Sequence, residues 1–328
     1  MVRRIGTAIF MIFLVITFTF FLLRLMPGNP TLIEYHLLIK QGDSPTAALQ
    51  YVNALYGVDV KSPLMTQYVH YLGDLIHGNL GTSILYPNTR VLSLVAAALP
   101  WTVFSVGLAL LFSAIFGILM GTVAGFKRDG WIDVLLTPVA TVLSGIPNYL
   151  TGTVFLFQFA VVLAWFPQSG AYGVGVQVGA NVGFLGSILF HAALPVVSYA
   201  VTQFGGWYLL MKSSTASTLG QDFIVGARSR GLTSSQVIYG YVMPNSLLPL
   251  FTNFVLAIGF MFGGSVFVES IFSYPGLGYL LNQAVSNRDY STMQGLFLII
   301  TVAVIVSNLL ADLAYIKLDP RISGEDVL

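Results

Sequence analysis

The sequence predicts an all-α membrane protein with six transmembrane helices and an insertion outside the membrane between helices 1 and 2. Of its 328 residues, 56% are hydrophobic and only 8% are charged, whereas soluble domains carry roughly 25% charged residues. A bilayer core about 30 Å thick is crossed by about 20 apolar residues in a helix, and six runs of that length occur. A water-soluble fold of this length could not bury so much apolar surface.

The first run is long and ends at Arg24 and Pro27 without a small-residue cleavage site, so we interpret it as a retained span and not as a signal peptide. Pro138 and Pro147 predict a bend in the third span, since proline removes a backbone donor. The six spans are predicted at residues 5–25, 101–126, 134–165, 188–211, 247–268 and 295–316.

Charged residues between the spans define the domain organisation. Residues 1–26 form the first span, and the polar residues 27–97 form the insertion, with short helices predicted at 44–56 and 64–76. The remaining five spans form a core over residues 98–317, and a tail follows at 318–328. Within the core, residues 212–245 form the most polar stretch after residue 100.

The distribution of lysine and arginine predicts the orientation, because positively charged loops stay in the cytoplasm. Six spans place both termini on one side, and nine basic residues fall on that side, against four on the other and Arg24 at the boundary. Both termini are therefore predicted to be cytoplasmic and the insertion external. The nine residues are Arg3, Arg4, Lys127, Arg128, Lys212, Arg228, Arg230, Lys317 and Arg321.

The sequence lacks the common catalytic and metal-binding motifs. No Gly-Lys pair occurs, which excludes a phosphate-binding loop for ATP, and the four histidines form no His-Glu-x-x-His motif. Cysteine is absent, so disulfides and thiolate metal sites are excluded. A net charge of +1 argues against a nucleic-acid partner. We predict no catalytic residue, no metal site and no cofactor in this chain.

Ionisable residues within the spans are few. Such groups are costly in hydrocarbon and usually mark a functional cavity. Glu269 falls at the outer end of the fifth span and Asp312 near the inner end of the sixth. For Glu269, together with Pro275 and Gly276, we weigh a place on a transport path or outer gate against simple exposure at the membrane surface. For Asp312 we favour a structural or interfacial role. The absence of deeper charges argues against a proton-coupled transporter.

The polar stretch at 212–245 predicts two short helices. Asp222 is suited to the start of the first helix, and Gly231 is placed to end it. Thr233 and Gln236 have the spacing of a capping box at the start of the second. Such an elbow offers a compact surface for docking another protein, although an ordinary connection between spans is the alternative.

The same stretch resembles the coupling loop of ABC importer permeases of the dipeptide and oligopeptide family. The matching positions are Ala227, Gly231 and the pair Pro244-Asn245, while the Glu-Ala-Ala opening of that family is replaced by Val225-Gly226-Ala227. The resemblance implies a set of residues that contact an ATPase subunit. They are Asp222, Gly226, Ala227, Arg228, Gly231, Thr233, Gln236, Pro244 and Asn245.

Further motifs of the same family follow in order along nearly the whole chain. The resemblance covers residues 24–30, 56–59, 63–68 with 78–83, 146–147 with 167–170, 269–278, 288–295 and 318–321.

The resemblance implies a type I ABC importer permease in the cytoplasmic membrane of a prokaryote. Its expected partners are a second homologous permease, one or two ATPase subunits that hold ATP and Mg²⁺, and an external substrate-binding protein that meets the insertion. Peptides are the expected substrate, with oligosaccharides or nickel as alternatives. A secondary transporter or channel working alone is the rival from another class, and a membrane enzyme is a further one.

Overall fold

A computed structural model describes residues 2–25, 30–56, 62–264 and 266–318. Apart from one isolated bridge between Thr82 and Arg90, the regular elements in these ranges are helices. They are α1 (Val2–Leu25), α2 (Pro30–Gln41), α3 (Pro45–Tyr56), α4 (Leu64–Ile76), α5 (Val91–Phe126), α6 (Trp131–Gly145), α7 (Asn148–Phe155), α8 (Val182–Leu219), α9 (Asp222–Ser229), α10 (Ser234–Val237), α11 (Met243–Ser246), α12 (Leu248–Gly264), α13 (Val266–Ile271), α14 (Leu277–Ser286) and α15 (Tyr290–Leu318).

Six potential spans are present in the described ranges. Four helices, α1, α5, α8 and α15, are long and apolar enough to cross a membrane. Two bent pairs supply the others: α6 with α7 and its π-helical continuation, bent by 102°, and the helical stretch α10–α11 with α12, bent by 49°. The predicted number of six holds when each bent pair counts as one span. We call the end of the bundle that carries Phe126 and Trp131 the inner end and the opposite end the outer end.

The third span is broken where the sequence predicts a bend. Ile146 and Pro147 are extended between α6 and α7, and proline cannot donate the backbone hydrogen bond that would continue the helix. Asn148, directly after the break, accepts a hydrogen bond of 2.6 Å from the Thr202 hydroxyl on α8. Pro138 is accommodated inside α6, so only the second proline interrupts the span.

Two spans extend beyond their predicted limits. Helix α5 begins at Val91, ten residues before the predicted start at Trp101, and α8 ends at Leu219 instead of residue 211. At a rise of 1.5 Å per residue these helices are about 54 and 57 Å long, well beyond the hydrocarbon core. Hydropathy marks where the lipid ends, but backbone hydrogen bonding continues past that point.

The insertion contains one helix more than predicted. Helices α3 and α4 match the two predicted helices, whereas α2, which begins at Pro30, was not predicted. Proline is favoured at the first position of a helix because no amide donor is needed there. Pro27, the tail after Leu318 and the side chain of Asp312 lie outside the described residues.

Helix α4 packs along the outer part of α1. The Tyr68 hydroxyl lies 2.7 Å from that of Thr17, and Arg24 Nε donates to Gln67 Oε1 at 3.1 Å. The Arg24 guanidinium also lies 3.7 Å from the centroid of the Phe20 ring. These contacts fix the insertion against the first span.

Helices α5 and α8 run parallel and approach each other through a stripe of glycines. Gly117, Gly121 and Gly125 recur every four residues on α5, and a Cβ atom there would lie 2.5 to 2.7 Å from atoms of α8. Small residues at this spacing let helix backbones approach closely in membranes. The spacing is visible in the sequence, although our sequence analysis did not use it.

A pair of adjacent glycines on α8 tests this packing. A Cβ on Gly205 would overlap the Ala140 carbonyl oxygen on α6, whereas Gly206 faces open space. We expect Gly205→Ala to destabilise the protein by about 1–3 kcal/mol, since overpacking forces the helices apart. Gly206→Ala should be neutral or stabilising, because alanine favours helix. The measurement is the apparent melting temperature of both variants in detergent at one scan rate, and equal values would contradict this packing.

Candidate functional site

The inner segment, residues 220–247, joins α8 to α12 and forms the predicted helix–glycine–helix elbow. Helix α9 ends at Ser229, and Gly231 adopts φ +77°, a left-handed conformation that glycine accepts without strain. The Gly231 amide donates to the Arg228 carbonyl at 2.9 Å. The chain then turns directly into α10.

The predicted capping box at the start of α10 is confirmed. The Thr233 hydroxyl accepts from the Gln236 amide at 3.4 Å, and the Gln236 side-chain oxygen accepts from the Thr233 amide at 2.9 Å. Asp222 occupies the first position of α9, following Gln221, whose side chain makes no capping hydrogen bond. The start of α10 is therefore capped by side-chain hydrogen bonds, whereas the residue before α9 provides no such cap.

A small apolar core holds the elbow together. Ile224 and Ala227 of α9 are 1% and 3% exposed, and they pack with Val237 of α10 and with Val242 of the π-helical turns that follow it. Phe126 at the inner end of α5 and Leu219 at the end of α8 border the same cluster. Ala227 is thus a packing residue, and a larger side chain there would separate the elbow from the bundle.

Buried hydroxyl groups attach the second half of the elbow to α8. Ser214 Oγ donates to the Ser246 carbonyl at 2.8 Å, and Ser246 Oγ donates to Thr218 Oγ1 at 2.9 Å. Both bonds use residues from the part of α8 beyond its predicted end. The last residues of α8 therefore hold the second half of the elbow in a fixed position.

Pro244 and Asn245 shape the entry into α11. Pro244 lies within the continuous helical stretch α10–α11, where proline cannot donate a backbone hydrogen bond. The π-helical turns at Ile238–Val242 precede Pro244, and Asn245 Nδ2 donates to the Tyr241 carbonyl at 2.7 Å. The Asn245 side chain thereby provides a hydrogen-bond donor for a carbonyl group in the irregular π-helical turns.

The opposite face of the elbow is solvent-accessible and mixed in character. Val225 and Tyr239 are 61% and 64% exposed, and Asp222, Gly226 and Arg228 are exposed beside them. The Arg228 guanidinium lies 6.0 Å from the Phe126 ring centroid. Exposed apolar side chains accompanied by charged ones are found on surfaces that bind protein partners.

At the outer end, Glu269 is buried and holds a turn between α13 and α14. The side chain is 1% exposed, so simple exposure at the membrane surface does not fit it. Its carboxylate accepts from the Gly278 and Tyr279 amides at 2.7 and 3.2 Å, as an N-cap does for the first turn of a helix. It also accepts from Thr102 Oγ1 at 2.8 Å. Glu269 therefore ties α13, α14 and α5 together.

The turn around Pro275 and Gly276 closes over this carboxylate. A Cβ on Gly276 would overlap both carboxylate oxygens of Glu269, so only glycine fits. Tyr274 is fully buried, and burial together with the neighbouring Glu269 carboxylate raises the pKa of its hydroxyl. A solute could reach Glu269 only if this turn opened.

A second buried carboxylate joins the insertion to the last span. Asp289 is 1% exposed and accepts from Ser83 Oγ, from the Thr292 amide at 3.1 Å and from the Thr292 hydroxyl at 2.7 Å. It also accepts from the Leu85 amide at 3.3 Å. The sequence motifs around Ser83 and around Asp289 are therefore parts of one contact.

Two further polar contacts were not predicted from the sequence. Thr102 accepts from the Leu277 amide at 2.7 Å while donating to Glu269. Near the inner end, Asp133 forms an ion pair with Lys212, which also donates to Thr137 Oγ1 at 2.9 Å. Neither pairing follows a fixed spacing in the sequence. Within the described ranges, no group of three metal-binding side chains occurs.

The hydroxyl of Thr102 provides a test of the outer contact. We expect Thr102→Val to lower stability by about 1–3 kcal/mol, because the Leu277 amide and the Glu269 carboxylate each lose a buried partner. Thr102→Ser keeps the hydroxyl and should remain close to the wild type. Thermal unfolding of the purified variants measures the difference, and a valine variant as stable as the serine variant would show that the contact is dispensable.

Comparison with known proteins identifies the family of this chain. Residues 114–324 match the family "Binding-protein-dependent transport system inner membrane component", and residues 1–103 match its N-terminal component. The chain is 30% identical to the Di/tripeptide transport system permease protein DppB of Pseudomonas aeruginosa, covering 98% of this chain and 97% of that protein. It is 31% identical to the Oligopeptide transport system permease protein AppB of Bacillus subtilis, over 93% and 92%.

These matches confirm the all-α, type I ABC importer permease fold that the sequence motifs predicted, in a multi-pass protein of the inner membrane. The chain belongs to the family of binding-protein-dependent transport system inner membrane components.

Proposed function

We propose that the chain is one of two permease subunits of an ATP-driven importer that moves di- and oligopeptides across the cytoplasmic membrane by alternating access. The inner segment is the observation that carries this proposal. It is too long for a simple connection between spans, it has its own core, and it presents exposed Val225 and Tyr239. An ATPase subunit that holds ATP and Mg²⁺ is the partner proposed for that surface.

The inner segment is built to transmit movement. Ser246 of α11 is hydrogen-bonded to Ser214 and Thr218 of α8, and the helical stretch α10–α11 continues into α12 after a bend of 49°. A displacement of the segment by the ATPase would therefore move two spans together. Rigid-body motion of this kind is an established route from inward-open to outward-open states.

The orientation follows from the basic residues, which place both termini and the inner segment in the cytoplasm. The insertion then faces outward, where the Ser83–Asp289 contact anchors its end to α15. This location suits a surface that receives a substrate-loaded binding protein. The turn around Glu269 lies at the same end and is the proposed outer gate, with Pro275 and Gly276.

The names of the related permeases favour peptides as the substrate. Oligosaccharides or nickel remain alternatives within the same importer class, and a secondary transporter working alone is the alternative from another class. Uptake by proteoliposomes separates them: ATP-dependent peptide uptake that requires the ATPase subunit supports the proposal, and uptake without that subunit contradicts it.

Docking at the inner segment can be tested by cross-linking, because the natural chain contains no cysteine. We expect Tyr239→Cys to cross-link to the ATPase subunit in the assembled transporter through a short bifunctional reagent. Val178→Cys is the control, since Val178 is 69% exposed but lies in the outer loop. Denaturing electrophoresis measures the product. Absence of a cross-link at Tyr239, with the complex intact, would contradict docking at this surface.

Coupling can be tested at Gly231. Proline requires φ near −65°, so Gly231→Pro must rearrange the elbow, whose φ here is +77°. We expect a variant that inserts and assembles but consumes several-fold more ATP per peptide transported. Gly175→Pro is the matched control, because Gly175 has φ +82° and open surroundings in the outer loop. An unchanged ratio of ATP to peptide in Gly231→Pro would show that the elbow does not couple.

A further inference from the structure

A cavity of about 280 Å³ lies between α5, α8 and α12. Three polar side chains line it: Tyr199 and Gln203 from α8, and Asn253 from α12. Gln203 lies within the predicted fourth span (188–211), eight residues from its inner limit and fifteen from its outer limit, so the cavity is within the membrane-spanning region. Its other lining residues are Val106, Leu110, Leu256, Ala257, Phe260 and Met261.

These polar groups do not connect the helices. Asn253 Nδ2 donates to the Pro249 carbonyl of its own helix at 3.1 Å, and Gln203 is hydrogen-bonded to Tyr199 of its own helix. Asn253 is exposed in the isolated chain. A side-chain amide has two donor hydrogens and an acceptor oxygen, so one hydrogen bond within its own helix leaves part of this capacity unmatched, which is costly in hydrocarbon. The face that carries Gln203 and Asn253 is therefore unsuited to contact with lipid.

The neighbouring groove on α8 shows the contrast. It has a volume of about 590 Å³ and is lined by apolar side chains such as Phe112, Val196 and Phe204, with Ser113 as the one polar side chain among its described lining residues. The Ser113 hydroxyl donates to the Leu110 carbonyl of its own helix at 3.0 Å. This groove suits a lipid environment, whereas the cavity at Tyr199 does not. One side of α8 is therefore apolar, whereas the side that faces the cavity carries side-chain amides.

We propose that the cavity at Tyr199, Gln203 and Asn253 is a contact point for the transported solute and binds the backbone amides of an extended peptide. The nine lining residues that the structure describes include no ionisable acid or base other than the tyrosine. A side-chain amide offers a donor and an acceptor together, which complements the N–H and C=O groups that every peptide presents. The inference rests on the proposed importer function and adds the residues that recognise its substrate.

This chemistry makes recognition independent of the peptide's side chains. The remaining lining is aliphatic or aromatic, with flexible Met261, which adapts to irregular shapes. A divalent cation would have to exchange its water shell for neutral groups alone, which such ions do reluctantly. The cavity therefore fits a neutral solute rich in amides better than a metal ion.

The test uses the complete transporter with its ATPase and binding protein in proteoliposomes. Uptake of a short peptide is compared with uptake of its backbone N-methylated analogue, at saturating loaded binding protein. The wild type should transport the ordinary peptide roughly two- to tenfold faster, the contribution of one hydrogen bond. Gln203→Leu and Asn253→Leu should lose this preference while retaining ATP hydrolysis stimulated by the binding protein. Gln158→Leu, an exposed glutamine in the third span outside the cavity, should keep the preference.

The outcomes separate the two proposals. A wild-type transporter that takes up no peptide, or does so without ATP, overturns the proposed function. A wild type that transports both peptides equally, or leucine variants that keep the preference, overturn the cavity assignment alone.

A second measurement avoids dependence on the folding of the leucine variants. Asn253→Cys, introduced into the cysteine-free chain, should react with a water-soluble maleimide in the assembled transporter, and transported peptide should slow the reaction. Leu111→Cys, exposed on α5 beside the cavity-lining Leu110, should react more slowly and without protection. An Asn253→Cys that is unreactive would show that a subunit interface covers the amides and would overturn the proposal.

Discussion

The close approach of α5 and α8 fixes the position of the other elements. Glycines at 117, 121 and 125 let the two helices pack so closely that a Cβ atom at any of these positions would overlap atoms of α8. In a bilayer the hydrophobic effect does not drive helices together, so shape complementarity and hydrogen bonds have to do so. On the other side of α8, Gly205 admits α6 in the same way. Helix α8 is therefore packed between two neighbours along most of its length.

Because α8 continues unbroken from Val182 to Leu219, it links features that are far apart in the membrane. Thr202 on α8 pairs with Asn148 at the break of the third span, Tyr199 and Gln203 line the polar cavity, and Ser214 holds the inner segment. One rigid element thus connects the surface proposed for the ATPase with the cavity proposed for the solute. A transporter that couples two distant events needs such a connection.

At the outer end, two buried carboxylates connect parts of the chain that are far apart in the sequence. Glu269 closes the turn before α14 and Asp289 closes the start of α15, each with hydrogen-bond donors from another part of the chain. A buried carboxylate is costly unless such donors surround it. The two sites therefore define a single arrangement of the outer turns, and any opening of the proposed outer gate would have to replace these hydrogen bonds.

The sequence by itself determined the membrane class, the number of spans, the bend at Pro147 and the elbow around Gly231, because each follows from local rules of hydropathy, proline geometry and helix capping. Only the tertiary structure decided that Glu269 is a buried cap and that Ser83 meets Asp289, since those partners are separated in sequence and no periodicity connects them. The same holds for the cavity at Gln203 and Asn253, whose side chains come from different helices. Local patterns fix how a segment folds, whereas the packing of helices decides which faces meet and therefore where a solute or a partner can bind.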